Sequence, residues 1–290
     1  MTRGSEVPVD LGHARAVAVA AAEQAGDLLR ARSGGPLGVR PKGGDGDVVT
    51  ELDEAADALI CDRLRAAYPG HAIWAEESGC RDGTDTDWTW VVDPLDGTNN
   101  LAVGLTAYAV GIGLCERGVP RVAVVHDVVA RRTWSAIRGA GATGPGGPLH
   151  HDAHGVVSGG RGLTLDWVQG HEVTADDPTA TALRVTLAIA ARRVLGLWAP
   201  LLSWTMLARG DIDGLIGYRA GMTELHTGAL LAAEAGMEVR DWNGRPFDDR
   251  LATPTTTRDF LAAPPGHIEP LLALITHATT IEKETTALRP

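Results

Sequence analysis

The segment Trp90–Thr98 constrains the fold more than any other part of the 290-residue chain. It begins with an apolar run through Val91 and Val92 that is typical of a buried strand, which a proline then interrupts. Asp93 and Asp96 flank that interruption, so two carboxylates leave the end of one strand together. The same residue types also form ordinary surface turns, and such a turn is the alternative interpretation.

Gly97 and Thr98, which follow directly, favour the binding of an anion at this point. A glycine lets the backbone approach an anion closely. Thr98 opens the next predicted helix, and the free N–H groups at a helix start attract phosphate. Both residues are therefore predicted to bind phosphate.

Two upstream segments supply further carboxylates. Glu76 and Glu77 end a short apolar run that is typical of a strand. Asp53 is the last residue of a second acidic segment, Asp47–Asp53, which precedes a helical pattern of apolar residues that continues to Gly70. Asp47 and Glu51 also belong to that segment, and for these two we favour a role in capping the helix.

These three segments, in this order and spacing, resemble the inositol monophosphatase family over roughly residues 40 to 245. The family comprises lithium-sensitive, magnesium-dependent phosphomonoesterases. The resemblance implies an α/β fold, a layered αβαβα sandwich that is shared with fructose-1,6-bisphosphatase. It also implies that the cofactor is Mg²⁺, bound as two or three ions for which Mn²⁺ can substitute, and that the protein is a homodimer.

The resemblance assigns a role to each matching residue. It implies that the metal ligands are Glu76, Asp93, the carbonyl oxygen of Leu95, and Asp96. It implies that Asp53 and Thr98 orient and activate the attacking water, that Glu77 assists them, and that Lys42 lies near the site.

The chemistry of phosphate esters is consistent with these assignments. A phosphate monoester dianion repels hydroxide, so hydrolysis requires positive charge on the phosphoryl oxygens and an acidified water. Mg²⁺ takes oxygen ligands and keeps several waters, so a few carboxylates suffice to hold it. Two such ions can hold the attacking and leaving oxygens of an in-line displacement.

The second half of the chain departs from the family at a metal ligand. Where family members carry a Trp-Asp pair, this chain has Thr223-Glu224. The longer glutamate predicts a second metal site that is weaker or shifted, and weaker inhibition by lithium, because Mg²⁺ tolerates poor geometry badly. The alternative is that Glu224 is an ordinary acidic residue in the first turn of a surface helix.

The predicted substrate pocket also departs from the family. Gly217 occupies the position of a glutamate that contacts the ring of inositol phosphates, and Leu195–Pro200 replaces a Gly-Ser-Ala segment. These changes argue against myo-inositol phosphate as the substrate. Trp198, Tyr218 and Arg219 are candidates for lining the rebuilt pocket, although packing is an equally good explanation for the two aromatic residues.

Composition limits the classes of partner and the compartment. The net charge of −11 argues against nucleic-acid binding as a main function, because no basic stripe is available to follow a phosphate backbone. Three cysteines without metal-binding spacing predict free thiols in a reducing compartment. The sequence contains neither a membrane span nor a secretory pattern, so we expect a cytoplasmic protein without membrane contacts.

The pattern of elements predicts two subdomains. Residues 1–150 are predicted to form an α+β subdomain that carries most metal ligands, with helices over 13–32 and 52–67 and strands at 72–75, 88–92, 107–115, 119–125 and 133–137. Residues 151–290 are predicted to form an α/β subdomain that carries Glu224 and the specificity residues, with helices at 199–208, 224–235 and 267–277 and strands at 214–218, 238–241 and 260–263. A further strand is predicted at 171–173 or 184–187, and the glycine- and proline-rich stretch 139–148 is predicted to be a loop or boundary.

These observations predict Mg²⁺-dependent hydrolysis of a small phosphate monoester, such as a sugar, cyclitol or related metabolite phosphate, by water and without a covalent intermediate. The alternatives within the same superfamily are phosphatases of histidinol phosphate, of sugar bisphosphates or of 3′-phosphonucleotides. An alternative of another class is a non-catalytic protein that binds a phosphorylated metabolite or serves as a partner subunit.

Overall fold

The structure is a computed structural model, and it describes residues 9–42, 46–149, 162–221, 223–252 and 256–287. Seven α-helices lie in these ranges: α1 (Leu11–Arg32), α2 (Glu51–Ala67), α3 (Thr98–Ala102), α4 (Pro178–Ala190), α5 (Pro200–Arg209), α6 (Thr223–Glu234) and α7 (Ile268–Ala287). A single turn of 3₁₀-helix, Pro265–His267, precedes α7. None of these helices combines the length and the apolar character that a membrane crossing requires.

Strands β1 (Arg40–Pro41) and β2 (Val48–Val49) form a small ribbon. A sheet of eight strands contains β3 (His71–Ala75), β4 (Gly79–Arg81), β5 (Asp85–Asp96), β6 (Ala109–Glu116), β7 (Val119–Asp127), β8 (Arg132–Ile137), β9 (Gly141–Gly144) and β10 (Gly147–Leu149). A sheet of five strands contains β11 (Thr164–Gln169), β12 (Arg193–Leu195), β13 (Gly214–Ala220), β14 (Glu238–Arg240) and β15 (Arg258–Ala263).

The two sheets differ in strand direction. The larger sheet has the order β10-β9-β8-β7-β6-β5-β3-β4 and is antiparallel except where β3 runs parallel to β5. The smaller sheet has the order β12-β11-β13-β15-β14 and is mixed, since β12, β11 and β13 are parallel and the other pairs are antiparallel.

Helices separate and cover the two sheets. Helices α1 and α2 bury apolar residues on one face of the larger sheet, and α5 and α6 pack between its other face and the smaller sheet. Helices α4 and α7 cover the outer face of the smaller sheet. The layers therefore follow the order αβαβα, and the predicted sandwich is confirmed.

Most predicted helices and strands lie where the structure places them, and two predictions were wrong. Helices α1 and α2 lie where the apolar spacing places them. The stretch 139–148, predicted as a loop or boundary, instead contains the hairpin of β9 and β10, because glycines with positive φ at 141 and 147 permit its tight turns. The strand predicted at 171–173 or 184–187 was also wrong, since β11 ends at Gln169 and residues 184–187 lie inside α4.

The start of α2 corrects one interpretation of the acidic residues. The N-cap is Thr50, whose side chain accepts a hydrogen bond from the Leu52 N–H while Asp53 accepts one from the Thr50 N–H, as in a capping box. Asp47 lies three residues earlier and does not cap this helix. The division into subdomains at residue 150 stays a prediction, and that residue lies outside the described ranges.

Candidate functional site

The end of β5 lies beside the end of β3, because the two strands are parallel neighbours. The Glu76 N–H donates to the Val92 carbonyl oxygen at 3.0 Å, which places Glu76 next to the start of the Asp93–Asp96 segment. Carboxylates that are far apart in the chain thus emerge at one edge of the larger sheet.

A cleft of about 320 Å³ opens at this edge. Both sheets and the helix layer between them contribute to its walls. The described residues that line it are Lys42, Asp47, Val48, Trp74, Glu76, Asp93, Leu95, Asp96, Gly97, Thr98, Asn99, Gln169, Gly170, His171, Trp198, Pro200, Gly221, Thr223 and Glu224.

Gly97 is required for the shape of this cleft. Its φ of +93° lies in the left-handed region, and an added Cβ would lie 2.8 Å from the Ala107 carbonyl oxygen and 3.2 Å from the Cβ of Ala199. Any larger residue would therefore strain the backbone and collide with two neighbouring segments. The loop that carries Asp93 and Asp96 depends on a bare backbone at this point.

Thr98 and Asp53 form a hydrogen-bonded pair at the floor of the cleft. The Thr98 Oγ1 lies 2.6 Å from Oδ1 of Asp53 and 2.9 Å from the Leu95 carbonyl oxygen, either of which can accept its proton. Burial raises the pKa of Asp53, and hydrogen bonds from Thr50 and Thr98 oppose that rise. A hydroxyl that donates to a carboxylate leaves its own lone pairs free to accept a proton from a further molecule.

The carboxylates of the cleft repel one another. Burial, followed by the charges of Glu76, Asp96 and Glu224, raises the pKa of Asp93 well above its usual range. Burial and the charge of Glu224 do the same to the pKa of Asp96, although the Leu201 N–H donates to its Oδ2 at 2.6 Å. The charged forms of Asp93 and Asp96 are therefore disfavoured unless a positive charge lies beside them.

Lys42 supplies the positive charge nearest to Glu76 and Glu77. Its Nζ lies 2.7 Å from Oε1 of Glu76 and 2.7 Å from Oε1 of Glu77. Burial opposes the charged form of the lysine, but both glutamates raise its pKa. Burial raises the pKa of Glu77 to about 7 despite the hydrogen bond from Lys42.

Glu224 lies in the first turn of α6 and lines the cleft together with Asp93 and Asp96. Its Oε2 accepts a hydrogen bond from the Thr223 hydroxyl at 3.0 Å. Burial raises the pKa of Glu224, and the charge of Glu76 adds to the rise. The structure thus brings this residue of the second half of the chain to the carboxylates of the first half.

The donor set fits a hard divalent cation, because all its candidate ligands are carboxylate or carbonyl oxygens. The raised pKa values of Asp93, Asp96 and Glu224 show where such a charge is needed. Within the described ranges, no three Asp, Glu, His or Cys side chains already have the geometry of a metal site.

Two predicted pocket residues do not reach the cleft. Tyr218 is buried between Trp167 and Trp242 and donates to Asp177 at 3.3 Å. Arg219 lies over the ring of Tyr218, with its Nη1 3.7 Å from the carboxylate of Asp177. Trp198, in contrast, lines the cleft as predicted and is 62% exposed.

Sequence reasoning missed several residues of the cleft. Asp47 accepts a hydrogen bond from the Asn99 side chain at 3.1 Å and lies 3.7 Å from His171. The end of β11 brings Gln169 and His171 to the same wall. The sequence analysis identified Asp47 as part of the acidic segment. Its contacts with Asn99 and His171 depend on strand pairing, which no local sequence pattern indicates.

The layer order and the acidic cleft define a class of protein, the layered α/β sandwich of known inositol monophosphatases. The structure of inositol monophosphatase from Anabaena (Nostoc) sp. PCC 7120 matches with a TM-score of 0.76 and 26% identity, over 93% of this chain and 97% of that chain. The fold is also that of the suhB protein from Bartonella henselae, with a TM-score of 0.81 and 24% identity over 91% of this chain and 98% of that chain.

Sequence comparison gives the family. The family model described as "Inositol monophosphatase family" matches residues 10–279. Nus factor SuhB from Escherichia coli strain K12 is 34% identical over 237 residues, 79% of this chain and 85% of that protein. Inositol monophosphatase 1 from Solanum lycopersicum is 32% identical over 237 residues, 80% of this chain and 85% of that protein. The chain belongs to the inositol monophosphatase family.

Proposed function

We propose that this protein catalyses the Mg²⁺-dependent hydrolysis of a small phosphate monoester, with water as the nucleophile. The observation that carries the proposal is the meeting of Asp93, Asp96 and Glu224 with the Thr98–Asp53 pair in one cleft. A cluster of carboxylates with raised pKa values beside a positioned hydroxyl group is typical of a functional site rather than of a surface turn.

Thr98 and Asp53 are the proposed positioning groups for the attacking water. When the Thr98 hydroxyl donates to Asp53, its oxygen can accept a hydrogen bond from a water molecule. Asp53 is buried and can receive a proton from the Thr98 hydroxyl as that hydroxyl takes up a proton from the attacking water. Glu77, whose pKa is raised to about 7, is the proposed assisting base.

The residues that would hold Mg²⁺ are Glu76, Asp93, the Leu95 carbonyl, Asp96 and Glu224. When bound, the cation supplies positive charge beside the phosphoryl oxygens and acidifies water. Lys42 would compensate Glu77 once Glu76 turns to the cation. The backbone at Gly97 and Thr98 would hold phosphate oxygens, since glycine leaves that approach open.

The proposed substrate is a small metabolite ester other than myo-inositol phosphate. Gly217 has no side chain to contact a sugar-like ring, and the ring of Phe260 fills the space where a Cβ would lie. The narrow cleft of about 320 Å³ is at the small end of ligand pockets. We further propose a homodimer in the cytoplasm, as the family resemblance implies.

A non-catalytic role is the second candidate, and a specific observation favours it. One relative is described as a Nus factor, and this chain replaces the aspartate expected of the second metal site by Glu224. Under this alternative the cleft would bind a phosphorylated metabolite without hydrolysing it, or the chain would serve as a partner subunit.

Phosphate release separates the two candidates. The protein is stripped with a chelator, and hydrolysis of a panel of metabolite phosphates is measured before and after Mg²⁺ is added back. We expect Mg²⁺ to restore activity. Asp93→Asn should lower it by more than about a hundredfold, because a ligand of the cation contributes several kcal/mol to charge stabilisation.

Asp62→Asn is the matched control, since Asp62 lies on the exposed side of α2. Circular dichroism checks that both variants fold. Full activity in Asp93→Asn, or the absence of activity with Mg²⁺ in the wild type across the panel, would refute the proposed hydrolysis.

A further inference from the structure

Trp198 is an unusual feature of the cleft because it is exposed and has a strained backbone conformation. Its side chain is 62% exposed, although tryptophan is a large apolar residue. Its φ of +55° lies in the left-handed region, which residues with a bulky side chain rarely adopt. A strained backbone that presents a flat apolar side chain to a cleft is typical of a functional position.

Three contacts hold the segment that carries Trp198 against the Asp93–Asn100 loop. The Asn100 side chain donates to the Leu197 carbonyl oxygen at 2.6 Å. Ala199 contacts Gly97, where an added Cβ would lie 3.2 Å from the Cβ of Ala199. The Leu201 N–H donates to Asp96 at 2.6 Å. The backbone at Trp198 therefore has a set position relative to the proposed phosphate site.

Strand pairing places a second wall beside the indole. Strands β11 and β12 are parallel, and Asp166 pairs with Leu195, so both chains leave the sheet at the same edge. Residues 169–171 and Trp198 line the cleft there. Both ends of the Gln169 side-chain amide already have protein partners. Its Oε1 accepts a hydrogen bond from Nε1 of Trp167 at 3.1 Å, and its Nε2 donates to the Val173 carbonyl oxygen at 3.3 Å.

This wall suits a flat ring better than a polyol. A polyhydroxylated ring needs several free hydrogen-bonding groups in fixed positions, whereas Trp198 adds an exposed indole to this wall. The face of tryptophan stacks on aromatic rings and attracts cationic ones. Asp47, which is not among the proposed metal ligands, further favours a ring that donates hydrogen bonds or carries positive charge.

Resting on the proposed phosphatase function, we propose that Trp198 is a specificity-determining residue that stacks on a flat heteroaromatic ring in the alcohol part of the substrate. The size of the cleft, about 320 Å³, favours a single ring over a nucleoside. The substrate class is thus a phosphate ester of a small alcohol that bears such a ring.

Equilibrium binding of a matched pair of esters tests the inference without requiring turnover. The probes are imidazolylethyl phosphate and ethyl phosphate, which differ only in the ring, and adenosine monophosphate distinguishes a nucleobase from a single ring. Affinities are measured by calorimetry in Ca²⁺, another oxygen-binding cation. We expect wild-type protein to prefer imidazolylethyl phosphate over ethyl phosphate by about tenfold, which corresponds to about 1.4 kcal/mol.

Two variants identify the indole as the source of that preference. Trp198→Asn removes the ring but tolerates the left-handed backbone, and the preference should fall to within about twofold. Trp198→Phe retains a stacking face and should keep most of the preference. Equal losses of affinity for both esters, a wild type without a ring preference, or a change of oligomeric state in Trp198→Asn would overturn the inference.

Phosphate release from the same two esters in Mg²⁺ separates this inference from the proposed function. Hydrolysis without a ring preference in binding would refute the role of Trp198 alone. A ring preference that depends on Trp198, without any phosphate release, would refute the hydrolysis alone. If neither ester binds to the wild type, the role of Trp198 is refuted, and the panel of metabolite phosphates still decides the proposed hydrolysis.

Discussion

At the scale of single residues, the Thr98–Asp53 pair makes the sharpest prediction. Thr98→Ala removes the hydroxyl that links Asp53 to the cleft. We expect kcat to fall by about a hundredfold or more, because positioned proton transfer contributes roughly 10²- to 10⁴-fold. Steady-state phosphate release measures this effect.

Thr98→Ser serves as the control because it keeps the hydroxyl and removes only a methyl group. It should retain most of the activity. If Thr98→Ala stays within about threefold of the wild type, far less than positioned proton transfer supplies, the hydroxyl takes no part in the reaction.

The acidic residues show what local sequence can and cannot assign. The role of Asp53 in the capping box is visible in the spacing from Thr50, since a cap and its N3 partner are neighbours in sequence. Asp47 fitted a capping role equally well by composition. Its actual neighbours, Asn99 and His171, lie far away in the chain.

At the scale of elements, the packing of α5 against α6 reverses a common expectation about glycine. Gly228 lies inside α6, where alanine normally stabilises a helix by about 1 kcal/mol relative to glycine. Here an added Cβ would lie 2.1 Å from the ring of Trp204 on α5. We expect Gly228→Ala to destabilise the protein by about 1 to 3 kcal/mol, as overpacking does.

Urea unfolding provides the measurement, and Ala233→Gly provides the comparison. Ala233 is exposed on the same helix, so that variant should report helix propensity alone and cost about 1 kcal/mol. A gain in stability from Gly228→Ala would mean that α5 can shift away from α6.

Helices and strands differed in how well their patterns predicted them. Helices α1 and α2 carry a long apolar period, which is a local property of the chain. Strand β11 contains Asp166 and Gln169 and is stabilised by parallel neighbours on both sides, β12 and β13. Parallel pairing joins residues that are far apart in the chain. The local sequence of this six-residue strand therefore does not indicate that it is a strand.

At the scale of the whole molecule, the burial of carboxyl groups around the cleft makes the stability of the metal-free protein depend on pH. Burial raises the pKa of Glu77 to about 7, against about 4.3 for an unfolded glutamate. A carboxyl group whose pKa is raised by folding contributes fully to stability at a pH below its pKa in the unfolded state. That contribution is lost as the pH rises through the pKa in the folded state, about 7 for Glu77.

Glu77→Gln isolates this contribution. At a pH near the pKa of an unfolded glutamate, the variant and the wild type should have the same free energy of unfolding. The variant should become progressively more stable than the wild type as the pH approaches and passes about 7. The free energy of unfolding, measured in chelator across this range, checks the trend. Glu269→Gln, at an exposed position of α7, is the control, and a gap that narrows with rising pH would contradict the assignment.

The sequence alone determined the chemistry of the site. Asp93, Asp96, Gly97 and Thr98 lie within six residues, so a strand end, a turn and a helix start follow from local interactions. The family pattern and the layered fold could be predicted from that segment and from the two acidic segments upstream.

Only the tertiary structure decided which residues surround that site. Parallel pairing of β11 with β12 brings Trp198 and residues 169–171 to the cleft, while strand β13 directs Tyr218 into an aromatic stack. Sheet order and helix packing depend on contacts between residues far apart in the chain, and these contacts have no local sequence signal. The specificity of the protein is therefore a property of the assembled layers.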